Sequence, residues 1–138
     1  MKKYAVSLLV LTIIALPGLL SAQSRMVIKA DVPFEFVVNG KVMPAGECTI
    51  KVAGDGQTIL AIESGNERLF ALPNSAESLQ PSADTTLVFH KYGDRYFLAS
   101  INRAGEQRGY ELPASAVEKE LRAQNSVERD VTLLAYAK

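Results

Sequence analysis

From Ile28 onward, apolar and polar residues alternate with a period of two. Ile28, Ala30, Val32, Phe34, Phe36 and Val38 fall on one side, and Lys29, Asp31, Pro33 and Glu35 on the other. Successive side chains of a strand point to opposite faces, so this pattern predicts a half-buried strand with one wet face. Pro33 has no N–H for a ladder, which predicts either an edge position or a break into two pieces. Asn39-Gly40 then supplies the two positive-φ residues that a type I′ hairpin turn needs. A two-residue loop there pairs Val38 with Lys41, Val37 with Val42 and Phe36 with Met43, and puts Phe36 and Met43 together on the core side.

The next apolar set, Cys48, Ile50 and Val52, lies at even positions, whereas Met43 is odd. One unbroken strand would send the two sets to opposite faces. The intervening Met43-Pro44-Ala45-Gly46 fits a type I turn. It is therefore expected to reset the parity, either by bulging the strand or by carrying the chain to a second sheet.

The same punctuation continues along the chain. Gly54-Asp55-Gly56 reads as a turn. Thr58 to Ile62 and Leu69 to Leu72, separated by Ser64-Gly65-Asn66 and stopped by Pro73, read as a second hairpin. Asn74 to Asp84 is small and polar and reads as a loop crossing between sheets. Thr85 to Tyr92 and Arg95 to Ile101, joined at Gly93-Asp94, read as a third hairpin, the most aromatic part of the chain. Asn102 to Gly109 reads as an exposed loop. Ser115, with Glu118 three residues later, is a capping box that opens a helix over about Ala116 to Gln124. Val117 and Leu121 form its apolar face, Glu118, Lys119, Glu120 and Arg122 cover the rest, and Asn125-Ser126 ends it. Asp130 to Ala137 alternates weakly and reads as a closing strand.

Turns about ten residues apart, with no helix between strands, predict an antiparallel sheet system and not a parallel α/β one. The expected fold is mainly β: a small antiparallel β-sandwich or barrel of about seven to eight strands, with one C-terminal helix packed on it.

Three segments, VPFEFVVNGKVMPAGECTIKV, LVFHKYGDRYFL and YELPASAVEKELRA, resemble a group of small secreted bacterial proteins of unknown function. The resemblance implies export and one β-rich domain, and carries no activity, cofactor or catalytic residue. The Pro44-Ala45-Gly46 corner resembles that of prealbumin-like and immunoglobulin-like β-sandwich modules, with Cys48 where those modules have tyrosine.

The first residues add an address. Met1-Lys2-Lys3 is basic, Ala5 to Leu20 is almost wholly apolar, and Ser21-Ala22-Gln23 offers small residues for cleavage after Ala22. The apolar run of about 16 residues is shorter than the roughly 20 that span a bilayer, and Pro17-Gly18 interrupts it. Residues 1–22 are therefore expected to be a secretory signal peptide and residues 23–138 a single β-rich domain, secreted or periplasmic and outside the membrane once the signal is removed. The whole chain has 15 basic and 15 acidic residues. Loss of Lys2 and Lys3 leaves a slight acidic excess, with no electrostatic footprint for nucleic acid.

Candidate chemistry is sparse. The chain has one histidine and one cysteine. His90, Tyr92, Arg95 and Tyr96, around the tip of the third hairpin, could bind an anion or a polar ligand. The same composition is also explained by a solvated tip whose rings pack on their neighbours. Alternation places Cys48 in the core as a small hydrophobe; the other reading is a reactive or intermolecular thiol. A catalytic role for His90 would require Cys48 beside it in space, since no Gly-x-Ser-x-Gly elbow is present. One His and one Cys are too few for an ordinary zinc site, and Gly54-Asp55-Gly56 lacks the further acids of a calcium loop. Glu35, Glu47, Glu63 and Glu111 fall on wet faces or in loops, not as a facing pair for glycoside hydrolysis.

The residues thus predict no catalytic group, cofactor or metal. The expected role is non-enzymatic: binding an unknown protein or envelope component, or a structural part in the envelope or outside the cell. The alternatives are a small hydrolase or thiol enzyme using His90 and Cys48, and self-assembly by strand addition at an edge near Met26 to Val32 or at the C-terminal segment.

Overall fold

Pro33 divides the opening alternation into two strands that belong to different sheets. A computed structural model describes residues 26–53, 57–124 and 128–137. Strand β1 (Val27–Val32) ends at Pro33, and β2 (Phe36–Val38) turns at Asn39-Gly40 into β3 (Lys41–Met43). The pairing is Val38 with Lys41, Val37 with Val42 and Phe36 with Met43. Asn39 and Gly40 have φ of 49° and 78°, the left-handed values that this turn demands. Gly46 starts β4 (Gly46–Ala53) in the other sheet, so the Pro-Ala-Gly corner resets the parity by changing sheets.

The remaining elements are β5 (Ile59–Ser64), β6 (Glu67–Ala71), β7 (Asn74–Glu77), β8 (Thr86–Tyr92), β9 (Arg95–Asn102), β10 (Arg108–Glu111), α1 (Ala116–Ala123), β11 (Glu128–Leu134) and β12 (Tyr136–Ala137). The first sheet runs β12-β1-β4-β5-β6, and the second runs β11-β8-β9-β10-β7. The β2–β3 hairpin joins the second sheet through one parallel pairing, Val37 with Phe97. The architecture is an antiparallel β-sandwich with a single helix among the described residues. It has more strands than the seven to eight expected, because several are only two to four residues long.

Two segments read as loops are partly strand. Asn74–Glu77 pairs with Arg108–Glu111. Both are polar and short, without the alternation that marks a half-buried strand; β7 lies at the edge of the second sheet, where one ladder partner suffices, and β10 lies between it and β9. The C-terminal alternation is also divided: β11 lies beside β8, and β12 crosses to lie beside β1. β12 covers Ile28 and Lys29, so β1 is not the outermost strand of its sheet. The signal peptide, the Gly54-Asp55-Gly56 turn and the helix stop at Asn125-Ser126 lie outside the described residues.

The core fills the space between the sheets. Ile28, Val32, Phe36, Met43, Ile50, Leu60, Ile62, Leu87, Phe89 and Ile101 are fully buried there. Phe89 is the hub: its ring meets Phe34 and Phe36 edge-on, at centroid distances of 5.1 and 5.4 Å, the arrangement that aromatic quadrupoles favour. Leu87 and Phe89 point inward on β8, which turns Val88, His90 and Tyr92 outward. On β9 the register shifts between the partners of Val88 and Phe89, so that Ser100 and Leu98 face them and Ala99 is left over. This bulge lets Phe97 and Ser100 share the outer face although they are three residues apart.

Helix α1 covers part of that outer face. Ser115, extended at φ −68° and ψ 166°, caps it by accepting the Glu118 N–H at 3.3 Å. The helix is rotated from the expected face. Leu121 packs on Val37, Tyr92 and Phe97, but Val117 is 37% exposed and Glu118 is buried.

Candidate functional site

The outer face of the second sheet carries a polar cluster under α1. His90 and Tyr92 come from β8, two residues apart on one face. Asp130 lies opposite His90 and Glu128 opposite Tyr92 on β11. Glu118 and Arg122, one helical turn apart, descend onto them from α1. Each position follows from a period: two along each strand, and four along the helix.

Glu118 is the centre. It is only 4% exposed, and a buried carboxylate is costly unless its oxygens are bonded. One of its oxygens, Oε1, receives His90 Nδ1 at 2.6 Å and the Tyr92 hydroxyl at 3.1 Å, with Arg122 Nη2 at 3.4 Å. Arg122 Nε donates in turn to the Tyr92 hydroxyl oxygen at 2.7 Å. Burial, more than any other influence, pushes the Tyr92 phenol up from 10.0 to about 12; the Arg122 hydrogen bond opposes this, and the Glu118 charge adds to it. The bond to Tyr92 is the main reason that Arg122 holds its proton more tightly than usual. The capping box foretold Glu118 as a residue of the first helical turn. Its side chain, however, does not close the box on Ser115 but turns into the sheet.

His90 is oriented at both ends. With Nδ1 donating to Glu118, Nε2 faces Glu128 Oε1 at 3.3 Å and Asp130 Oδ1 at 3.8 Å. A histidine backed by a carboxylate is two parts of a catalytic triad. Among the described residues its far nitrogen meets carboxylates, not a hydroxyl or thiol nucleophile. Arg122 also spans to Glu128, Nε to Oε2 at 3.3 Å. Beside the cluster lies a concavity of about 300 Å³, walled by His90, Ser100, Asn102, Leu112, Glu118 and Asp130, among others.

The four residues predicted at the hairpin tip do not stay together. His90 and Tyr92 enter the cluster. Arg95 pairs with Tyr92 across the ladder, and its guanidinium lies over the Phe97 ring, 5.5 Å from the centroid. Tyr96 faces the inner side and stacks on Phe34 at 3.7 Å. Arg95 and Tyr96 line a separate hollow of about 110 Å³ with Glu35 and Val42. Sequence reasoning missed Glu118, Arg122, Glu128 and Asp130. The one signal was the narrow apolar stripe on the helix, too small to seat it without a polar residue underneath.

Cys48 belongs elsewhere. Its side chain is buried in the core between the sheets, whereas His90 lies on the outer face of the second sheet, so the two are not partners. Burial pushes the Cys48 thiol up from 9.0 to about 12. The folded protein should therefore resist a disulfide-exchange reagent such as DTNB at pH 8 and react fully in urea. The unfolded chain releases the Cys48 and Tyr92 protons near 9.0 and 10.0, and the folded chain keeps them to about 12. Between those values the unfolded state binds fewer protons, so stability falls as pH rises. This contribution is complete below about pH 9 and lost by about pH 12. Urea midpoints measured from pH 7 to 12 should show that decline; a flat profile, or rapid native thiol labelling, would contradict the burial of both groups.

No protein-family model matches the chain, and no curated protein or solved structure matches it either. The chain is a β-sandwich whose second sheet carries an acid-rich cluster around His90 beneath a capped helix.

Proposed function

We propose that this chain is an exported, non-enzymatic β-sandwich module that binds a partner or an envelope component through the concavity between α1 and the second sheet. The observation that carries the reading is the arrangement around His90. Its imidazole is held by buried Glu118 on one side and faces Glu128 and Asp130 on the other. That leaves a polar recognition surface in which, among the described residues, the far nitrogen of His90 meets carboxylates and not a hydroxyl or thiol. The buried thiol of Cys48 and the near-neutral charge support the same reading, and the basic and apolar start of the chain supports export.

The test is to assay the purified protein against ester, glycoside and peptide substrate panels, alongside hydrogen exchange with and without an envelope extract of its own host. The expected result is no turnover and new protection confined to α1, β8 and β11. Turnover that disappears in His90→Ala would overturn the non-enzymatic reading. Protection elsewhere, with none at this face, would overturn the choice of surface.

A further inference from the structure

Glu128 and Asp130 stand two residues apart on the outward face of β11, and Asp130 lies directly across the ladder from His90. Nε2 of His90, one oxygen of Glu128 and one of Asp130 all lie within 4.8 Å of one another. Donors about 2.1 Å from a first-row divalent cation stand roughly 3.0 Å apart on an octahedral edge and roughly 3.4 Å apart on a tetrahedral one. The His90 to Glu128 separation of 3.3 Å already meets that spacing, and the His90 to Asp130 separation of 3.8 Å is slightly longer.

The surroundings fit a metal better than a plain ion pair. Nδ1 of His90 donates to the buried carboxylate of Glu118 at 2.6 Å. Arg122 Nη2 lies 3.1 Å from the same nitrogen; with the Nδ1 proton directed to the carboxylate, the lone pair is on Nε2, on the side of the two acids. The bond to Glu118 is the carboxylate–histidine support found behind metal-ligating imidazoles. The charge balance points the same way. Glu118, Glu128 and Asp130 are opposed within the cluster by Arg122 alone. A metal-bound imidazole is neutral, so with an ion on Nε2 the three carboxylates and Arg122 would leave two negative charges to balance a divalent cation. The adjoining concavity leaves room for water or a ligand to complete the coordination.

We infer that His90, Glu128 and Asp130 form a binding site for a divalent transition-metal ion, with Glu118 orienting the imidazole. One imidazole with two carboxylates suits zinc or manganese, whereas magnesium, which prefers all-oxygen coordination, binds more weakly. The site stands independently of what the concavity recognises. A bound ion would also tie β11 to β8 beside the concavity.

The test is calorimetric titration of zinc chloride into the purified protein at neutral pH, with thermal melts in parallel. The wild type should bind one ion saturably and melt higher in its presence. Asp130→Asn removes a charge from a side chain that is 65% exposed, so the fold should persist while affinity falls about tenfold or more. Glu118→Gln, which touches no metal, should weaken binding by about 10–100-fold. Absence of saturable zinc binding in the wild type, or an unchanged affinity in a folded Asp130→Asn, would overturn the site. Equal affinities for magnesium and zinc would overturn the role of the imidazole.

Discussion

Phe89→Ala is expected to cost about 4 kcal/mol of folding stability, close to the limit that a domain of this size can lose and still fold. Phe89 is fully buried and carries two edge-on aromatic contacts, with Phe34 and Phe36. Those partners come from the segment between β1 and β3, so the ring ties the start of the domain to the central hairpin of the second sheet. Truncation removes the transfer free energy of the ring and leaves a cavity that several strands would have to close at once. Phe89→Leu, which keeps most of the volume, should lose much less. Phe70→Ala serves as the control: that ring is 62% exposed on β6, and its loss should fall within about 0.5 kcal/mol. Urea denaturation followed by circular dichroism measures all three. Equal effects for Phe70→Ala and Phe89→Ala would mean that the inter-sheet core is misplaced.

Glu118→Ala should be the most destabilising change in the outer cluster, at about 2–3 kcal/mol. The cost does not come from the helix cap, because Ser115 accepts the backbone N–H of residue 118, which the substitution keeps. It comes from the partners. Tyr92 is 3% exposed and would lose the acceptor of its hydroxyl proton, and His90 would lose the group that fixes its ring. Arg122 would keep Glu128 and Tyr92 and so be the least affected. Glu118→Gln retains an acceptor and should cost about 1 kcal/mol. A double-mutant cycle between His90 and Glu118 should give a coupling of at least about 1 kcal/mol. A coupling near zero would show that the short contact between them contributes nothing to stability.

The two substitutions differ in how far the sequence anticipates them. Phe89 sits in a run of β-formers, Thr85 to Tyr92, whose alternation assigns it to the inner face once Leu87 is taken as core. The Asn39-Gly40 hairpin, its register and the reset of parity at Pro44-Ala45-Gly46 are equally legible, because a glycine or proline at a turn acts on the local backbone alone; that the corner changes sheets and does not bulge the strand came from the tertiary structure. Glu118 is different. Its place in a capping box and its spacing from Arg122 are local signals, and both predict an exposed acid. The helix is seated instead on Tyr92 and His90, and only long-range packing makes burial of the carboxylate tolerable. The pairing of Asn74–Glu77 with Arg108–Glu111 was hidden for a related reason. Short polar strands have no period to read, and the pairing of these two, some thirty residues apart, is set by how the sheets close.

What the amino-acid order decided alone is therefore everything that repeats every two residues or bends at a glycine: the alternating strands, three hairpins, the inward row of Ile, Val and Phe, and the helix start at Ser115. Which outward residues meet is decided only in three dimensions. His90, Glu118 and Glu128 are separated by 28 and 10 positions in the chain, and no periodicity links a helix to the strands on either side of it. Their meeting depends on the β9 bulge, the rotation of α1 and the register of β11 against β8. Each of those is fixed by packing over the whole sandwich, because hydrophobic burial is non-directional and selects the arrangement that buries the most, wherever the polar groups then fall.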